Sequence, residues 1–377
     1  MDYINANIFF KLKKTFRYCL MYGIKRTFVK IKGQYHMSKN FKILPTNNLK
    51  RNQKLSNVGI VGCGNFAFSN IAYYINSYRR NLIRTVMDID VNKAASLFKE
   101  YDCMSYTDDF NIILNDSKIT KVFIASNHST HCDYASRCIQ VGKDVHIEKP
   151  HVVSKSQLNN LIESALSNKG VNIFLGFNRT KSKLYKILKN YLNKEKGPMM
   201  INWFIAGHAI EDDHWYFRPE EGGRVLGNLC HWTDLTLDMI GVINAFPCKV
   251  TAISGIDAKS DFVISYLFAD NSCATISFSA KGHTFEGVRE VLNIHRGNLL
   301  GKLTDFHKLE IDINDFKRVF KNFYRDHGHK SNIINSLKSK NGEKLEYVNA
   351  TAKLFLASKE AIESGKTITI KNNNFFD

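Results

Sequence analysis

Residues Asn57–Ala67 read N-V-G-I-V-G-C-G-N-F-A. Val58 to Val61 is a short, apolar, largely β-branched run of the kind that forms a buried strand. It breaks at Gly62-Cys63-Gly64, and helix-compatible residues resume from Phe66. Strand, tight turn and helix start, in that order, are what a dinucleotide site requires. Gly62 permits the turn, Gly64 lets the backbone approach a pyrophosphate, and small Ala67 lets helix and strand pack closely. The pyrophosphate then rests on free N–H groups at the positive end of the helix. Gly62, Gly64, Asn65 and Phe66 are accordingly the cofactor-binding residues expected here. A bare glycine turn in some other α/β protein is the competing reading.

Working outward, a second apolar run, Leu82 to Met87, ends in Asp88. An acid at this distance from the turn bonds the adenosine ribose 2′-hydroxyl and repels a 2′-phosphate, so NAD(H) is expected over NADP(H). The alternative for Asp88 is a helix N-cap before Asn92-Lys93-Ala94-Ala95.

The 377 residues are enough for two substantial cores. Residues 1–54 hold 13 Lys/Arg against one acid, a net +12, while the remainder holds 40 Lys/Arg and 34 acids, a net +6. The strong basicity therefore belongs to an N-terminal arm. Eight cysteines lie scattered with no C-x-x-C pair, which argues against a zinc site or disulfide framework and fits reduced thiols in a cytoplasmic protein. No apolar run reaches the length of a membrane span, and basic residues interrupt the N-terminus too often for a cleavable signal.

In the arm, Ile8, Phe9, Leu12, Phe16, Leu20 and Phe28 recur at roughly helical spacing with Lys11, Lys13, Lys14 and Arg17 between them. This is a basic amphipathic helix interrupted near Gly23. It is open to three readings: docking on the body or a partner subunit, contact with an anionic membrane surface, or a disordered tail. No recognition motif supports nucleic-acid binding.

Residues 55–176 read as repeating strand–helix units, the pattern of a doubly wound parallel sheet. Residues 177–345 change texture. Alternating apolar runs at 199–205, 249–256, 261–268, 273–279, 287–294 and 298–304 predict an open, mainly antiparallel sheet with one bare face. One strong helix, about 227–240, lies among them. Residues 346–377 bring a helix over Val348–Ser364, closed by Gly365, expected to pack back across the domain junction.

Glu148-Lys149-Pro150 falls at the C-terminal end of a parallel strand, where open α/β sheets bind ligands, and Glu148 and Lys149 are expected among the cofactor-binding residues. A lysine there can hydrogen-bond a substrate oxygen and stabilise developing negative charge; the alternative is a surface lysine at a strand end. Further on, the stretch Glu220 to Asp234 carries glycines into a helix start. His231 and Asp234 are three residues apart and share a helical face. His231 is a candidate general base, against the alternative of a hydrogen-bonded buried histidine.

The glycine turn, Glu148-Lys149-Pro150, Gly176-Phe177-Asn178-Arg179 and the glycine-rich entry to His231 occur in an order that resembles the glucose–fructose oxidoreductase / inositol dehydrogenase (Gfo/Idh/MocA) family, over about residues 55–370. The resemblance implies a Rossmann domain followed by an open-faced sheet domain, with a sugar, cyclitol or nucleotide-sugar between them. It implies Lys149 and His231 as the catalytic pair and an oligomer built through the sheet face. Asn127-His128 resembles the family's loop over the nicotinamide-side ribose, with His131 structural. Asn178, Arg179, Trp215, Arg224 and Asn228 are the substrate-side candidates, the two arginines suited to bidentate diphosphate contacts or to bridging the domains. His208 and His214 are expected on a loop over the pocket. Asp213-His214-Trp215 and Pro219 to Arg224 look like the branch found with surface-polysaccharide genes, which implies a nucleotide-sugar. His327-Gly328-His329 is read as a loop. Two departures matter. Many members carry Asp where Gly227 stands, and the suspected branch carries Glu where Asn228 stands. An amide cannot accept a proton, so a relay must run through His231, Lys149 or water. Two rival readings remain: a redox-neutral enzyme that cleaves glycosides through transient NAD oxidation, and a non-catalytic nucleotide or sugar binder.

Overall fold

The computed structural model describes residues 3–47, 56–208, 210–211, 213–255, 261–280 and 285–376. The expected arm–body boundary at 54/55 and the last residue of the expected strand 249–256 lie outside them.

The Asn57–Ala67 stretch sits at the centre of the first sheet. Its strands are β1 Val58–Val61, β2 Ile83–Met87, β3 Ser105–Thr107, β4 Lys121–Ile124, β5 Asp144–Ile147 and β6 Ile173–Leu175. They lie in the order β3-β2-β1-β4-β5-β6, and every neighbouring pair is parallel. The chain order reverses at β1, between β2 and β4, which is where a doubly wound sheet opens a crevice for a ligand. Burial is continuous along β1 and β4, as expected of strands covered on both faces.

The second sheet has nine strands: β7 Met199–Ala206, β8 Cys248–Ser254, β9 Phe262–Leu267, β10 Cys273–Ser279, β11 Arg289–Arg296, β12 Leu299–Thr304, β13 Lys308–Ile313, β14 Phe316–Lys321 and β15 Ile368–Ile370. All pairings are antiparallel except β7 with β10. Strict alternation along β7 and β9 puts one face in the core and leaves the other bare. β13, β14 and β15 lie beyond the alternating runs expected from the sequence; β13 alternates in burial but is short. β14 is almost wholly exposed and β15 is only three residues long, so neither carries the apolar alternation that betrays a strand.

The Leu345–Ser364 helix ends on Gly365 in a left-handed cap. Its Leu354 and Ala357 join the core beneath the large sheet, while Val348 and Phe355 join the core of the parallel sheet.

The arm folds as two helices, α1 Ile8–Tyr22 and α2 Ile24–Met37, hinged at Gly23. They lie on the body, but with their polar side inward. Phe9, Leu12, Phe16, Leu20 and Phe28 are 55–81% exposed. Arg17 pairs with Glu286, Arg26 donates to the Ser69 carbonyl and to Asn70, and His36 reaches the Cys63 carbonyl at 2.6 Å. Thus α1 meets the second domain while α2 lies on the helix that follows the glycine turn.

Candidate active site

Gly62 adopts φ +85°, and a Cβ there would lie 2.5 Å from the Ala125 carbonyl oxygen. The turn can close against β4 only with glycine. Gly64 faces open space, so the backbone at the helix start is accessible to a bulky anion. The helix begins with a wide turn over Ala67–Ala72 and continues as Tyr73–Tyr78. At the end of β2, Asp88 accepts from the Cys63 N–H at 2.7 Å and from the Asp90 N–H at 2.9 Å. The N-cap of the next helix is Asp90, not Asp88. The turn, its free helix terminus and the half-buried Asp88 beside it fit the adenosine-diphosphate half of NAD.

Lys149 follows β5 and points across the domain junction, where Nζ donates to the Gly227 carbonyl. Burial opposes its charge, but Tyr216, Cys230 and Glu148 outweigh it and hold its pKa above the ordinary lysine value. Lys149 is therefore an ammonium, a donor rather than a base. Glu148 is turned away from it and takes a hydrogen bond from His146 at 3.2 Å.

His231 opens the helix Cys230–Ile240. Burial first, then the charges of Arg179 and Lys149 and neighbouring His329 and His327, hold it well below the usual histidine value. It is a neutral imidazole whose buried Nδ1 finds no partner among the described residues. The same is true of the Asn228 amide oxygen. Two unsatisfied polar atoms three residues apart mark a place where a ligand hydroxyl would complete the hydrogen bonding. Asp234 takes no part with His231. It accepts from Tyr347 at 2.8 Å and Thr351 at 3.1 Å on the C-terminal helix, and burial raises its pKa strongly.

The Gly227 departure has a steric reason. A Cβ at 227 would stand 2.5 Å from a ring carbon of Tyr216. The phenol fills the space that an aspartate would need, and Nζ of Lys149 lies 5.9 Å from its ring centre. Trp215 and Tyr216 both pack on His128, at 4.7 and 4.8 Å between ring centres. His128 is buried, its Nδ1 3.1 Å from the Glu221 carbonyl, and burial depresses its pKa well below normal. Ser129 bonds the Glu221 carboxylate. These contacts tie the Asn127-His128 loop to the loop over the cleft; Asn127 itself is exposed. His131 has Pro150 and Ser126 carbonyls on its two nitrogens, a structural placement.

Three substrate-side candidates are engaged elsewhere. Arg179 grips Glu290 through two bonds of 2.9 and 3.2 Å and lies over Trp232. Asn178 donates to the His327 carbonyl at 2.6 Å. Arg224 donates to the carbonyls of His208 and Ala280, which leaves only Nε unpartnered. The two arginines hold the walls of the cleft instead of reaching into it, because each found acceptors from segments distant in sequence.

The same distance hid Glu290, Tyr216 and the histidines near residue 328. His327 bonds Glu290 at 3.1 Å. His329 is not in a loop: it opens the helix His329–Lys338, and its ring lies 5.7 Å from that of Phe66 in the glycine turn. The H-G-H triplet was visible, but only the fold brings it beside the turn.

This combination of parallel sheet, glycine turn and open-faced second sheet defines a two-domain fold whose first sheet is of the dinucleotide-binding, Rossmann kind. The comparisons agree. Residues 56–177 match the model of the GFO_IDH_MocA family, described as an oxidoreductase family with an NAD-binding Rossmann fold. The match spans the parallel-sheet domain. Oxidoreductase P35 of Formosa agariphila is 30% identical over 36% of this chain and 42% of its own length. Inositol 2-dehydrogenase of Salmonella typhimurium is 28% identical over 38% and 44%. The chain thus matches less than half the length of these two relatives. Levoglucosan dehydrogenase in complex with NADH and levoglucosan superposes with a TM-score of 0.70 at 13% identity, covering 84% of this chain and 99% of that one. GenD2 from gentamicin A biosynthesis in complex with NAD gives 0.71 at 18% identity, covering 87% and 99%. These two likenesses show the shared fold across both domains.

Proposed function

We propose that the protein is an NAD(H)-dependent oxidoreductase that moves a hydride to or from a hydroxyl or keto carbon of a sugar. The observation that carries this is the pairing of a charged donor, Lys149, with a neutral imidazole, His231, whose buried nitrogen lacks a partner. Bound on the Gly62–Ala67 turn with its ribose at Asp88, NAD(H) would supply the hydride acceptor or donor. Lys149 polarises the reacting oxygen and stabilises charge on it. His231 exchanges the hydroxyl proton, and Asn228 orients that hydroxyl without taking the proton.

The substrate reading extends to a nucleotide-linked sugar. Burial first, then Arg179 and Lys149, depresses His231, and burial and His327, then Arg26, Lys30 and Arg179, depress His329, so part of each shift is a positive field. An anionic substrate would offset this positive field and restore basicity to His231. We further expect a homo-oligomer through the bare sheet face, where Met200, Phe204, Leu267 and Leu300 are 42–59% exposed. The outward apolar stripe of the arm suits contact with an anionic membrane surface. Among the described residues no helix is long and apolar enough to cross a membrane.

The test is to release and identify the cofactor by mass spectrometry and to follow absorbance near 340 nm while sugars and nucleotide-sugars are added. A shift with nucleotide-sugars supports the reading. Recovery of NADP(H) would contradict the role of Asp88, and absence of any nucleotide binding would remove the reading itself.

A further inference from the structure

Between the arm and the glycine-turn helix lies a cavity of about 280 Å³, lined by Lys14, Tyr18, Lys30 and Gln34 of the arm and by Asn65 and Ser69 of that helix. Asn65 directly follows Gly64, so the cavity opens at the point where the helix presents its free amides. Neither lysine forms an ion pair with a carboxylate among the described residues. Lys30 lies over the Tyr22 ring at 5.0 Å, and Lys14 lies over Phe10 and Tyr18 at 5.4 and 5.9 Å. Burial, then Arg26 and Arg325, pushes Lys30 down to about 7. Two aromatic-flanked lysines facing a polar cavity without a counter-charge are short of an anion, and an anion there would restore the full charge of Lys30.

A second observation comes from the far end of α2. His36 is 3% exposed and stacks on Phe68 at 4.3 Å. With Nε2 against the Cys63 carbonyl, its buried Nδ1 has no partner. The arm therefore leaves unsatisfied polar groups both over the cavity and at the turn. α2 approaches closely enough that a Cβ on Gly33 would lie 2.6 Å from the Asn65 side-chain oxygen.

We propose that the arm is the outer wall of the ligand site, with Lys14 and Lys30 binding a diphosphate laid across the Gly62–Ala67 turn. The inference rests on the cofactor reading above for its first choice of ligand, the pyrophosphate of NAD(H). The diphosphate of a nucleotide-sugar is the same chemistry from a second source. In either case the basic composition of the arm serves ligand retention through its inner face, independently of what its apolar stripe touches.

The experiment is titration calorimetry on the full chain with NADH, ADP-ribose, adenosine and UDP, comparing wild type with Lys30→Gln, Lys14→Gln and the double variant. Each substitution removes one charge-assisted contact, so the Kd for NADH and for ADP-ribose should rise about tenfold per lysine. Adenosine binding should not change, and Lys30→Arg should recover most of the loss. If UDP weakens while NADH does not, the site stands and its occupant is the substrate diphosphate. If the wild type binds NADH and UDP normally and the variants match it, the arm has no such role. Tighter binding in the variants also overturns the proposal, because the arm then obstructs the turn. A wild type that binds no NADH takes down the cofactor reading, and with it the arm as a wall for the cofactor.

Discussion

Two neighbouring clusters at the domain junction treat buried polar groups in opposite ways. In one, Arg179, Glu290, His327 and Trp232 close on one another: Glu290 accepts from all three and is drawn down to about 2, with burial opposing and Arg179 the leading favourable influence. In the other cluster, Lys149 has a single carbonyl, and His231 and Asn228 each leave an atom unsatisfied. A closed network holds shape, whereas an unfinished one is available to a ligand. The contrast sets Arg179, held by two bonds to Glu290, apart from Lys149, whose ammonium keeps capacity for a further acceptor.

Substitutions can break this contrast. The largest effect is expected from Lys149→Ala: turnover should fall about a thousandfold, as for loss of an electrostatic donor, with NADH affinity retained. An equal loss of NADH binding would show that the lysine holds the cofactor instead. Arg179→Ala should act on stability, costing about 3–5 kcal/mol by stranding the Glu290 carboxylate in the core; denaturant unfolding would read it, and a stable variant with a raised KM would reverse the assignment. Gly227→Asp installs the acid that the family resemblance implies at this position, yet it must displace Tyr216. We expect a stability loss of about 1–3 kcal/mol from overpacking and no gain in rate, and steady-state kinetics with thermal melting would check both.

The smallest effect per residue is on pH. His151 is fully buried, and burial lowers its pKa to about 3. Its depressed folded pKa means that the unfolded chain binds the extra proton first. Stability is therefore intact above the ordinary value near 6.5 and erodes as pH falls below it, by about 1 kcal/mol per such histidine between pH 6.5 and 5.5. His128, His231 and His329 are depressed in the same direction, so the melting temperature should drop steadily through this window. His151→Phe should flatten the drop slightly.

What could be read from the chain was local. A strand breaking into a glycine turn, a lysine at a strand end and a helix closing on Gly365 are each one continuous stretch of chain, and each has a physical reason visible in the letters. The partners that define roles were not local. Arg179 meets Glu290 across 111 positions, and Asn178 meets the His327 carbonyl across 149. No spacing rule encodes such pairings. The arm shows the same limit in another form. Its amphipathic stripe was plain, but which side would face the body depended on cations finding Glu286, Ser69 and Asn70 there.

The C-terminal helix has a consequence for how the molecule comes apart. A single rigid rod supplies Leu354 to one core and Phe355, the next residue, to the other. Neither half can shed its apolar interior without withdrawing a side chain from its neighbour. The domains should melt together in one calorimetric transition, and proteases should find no stable half-molecule to release.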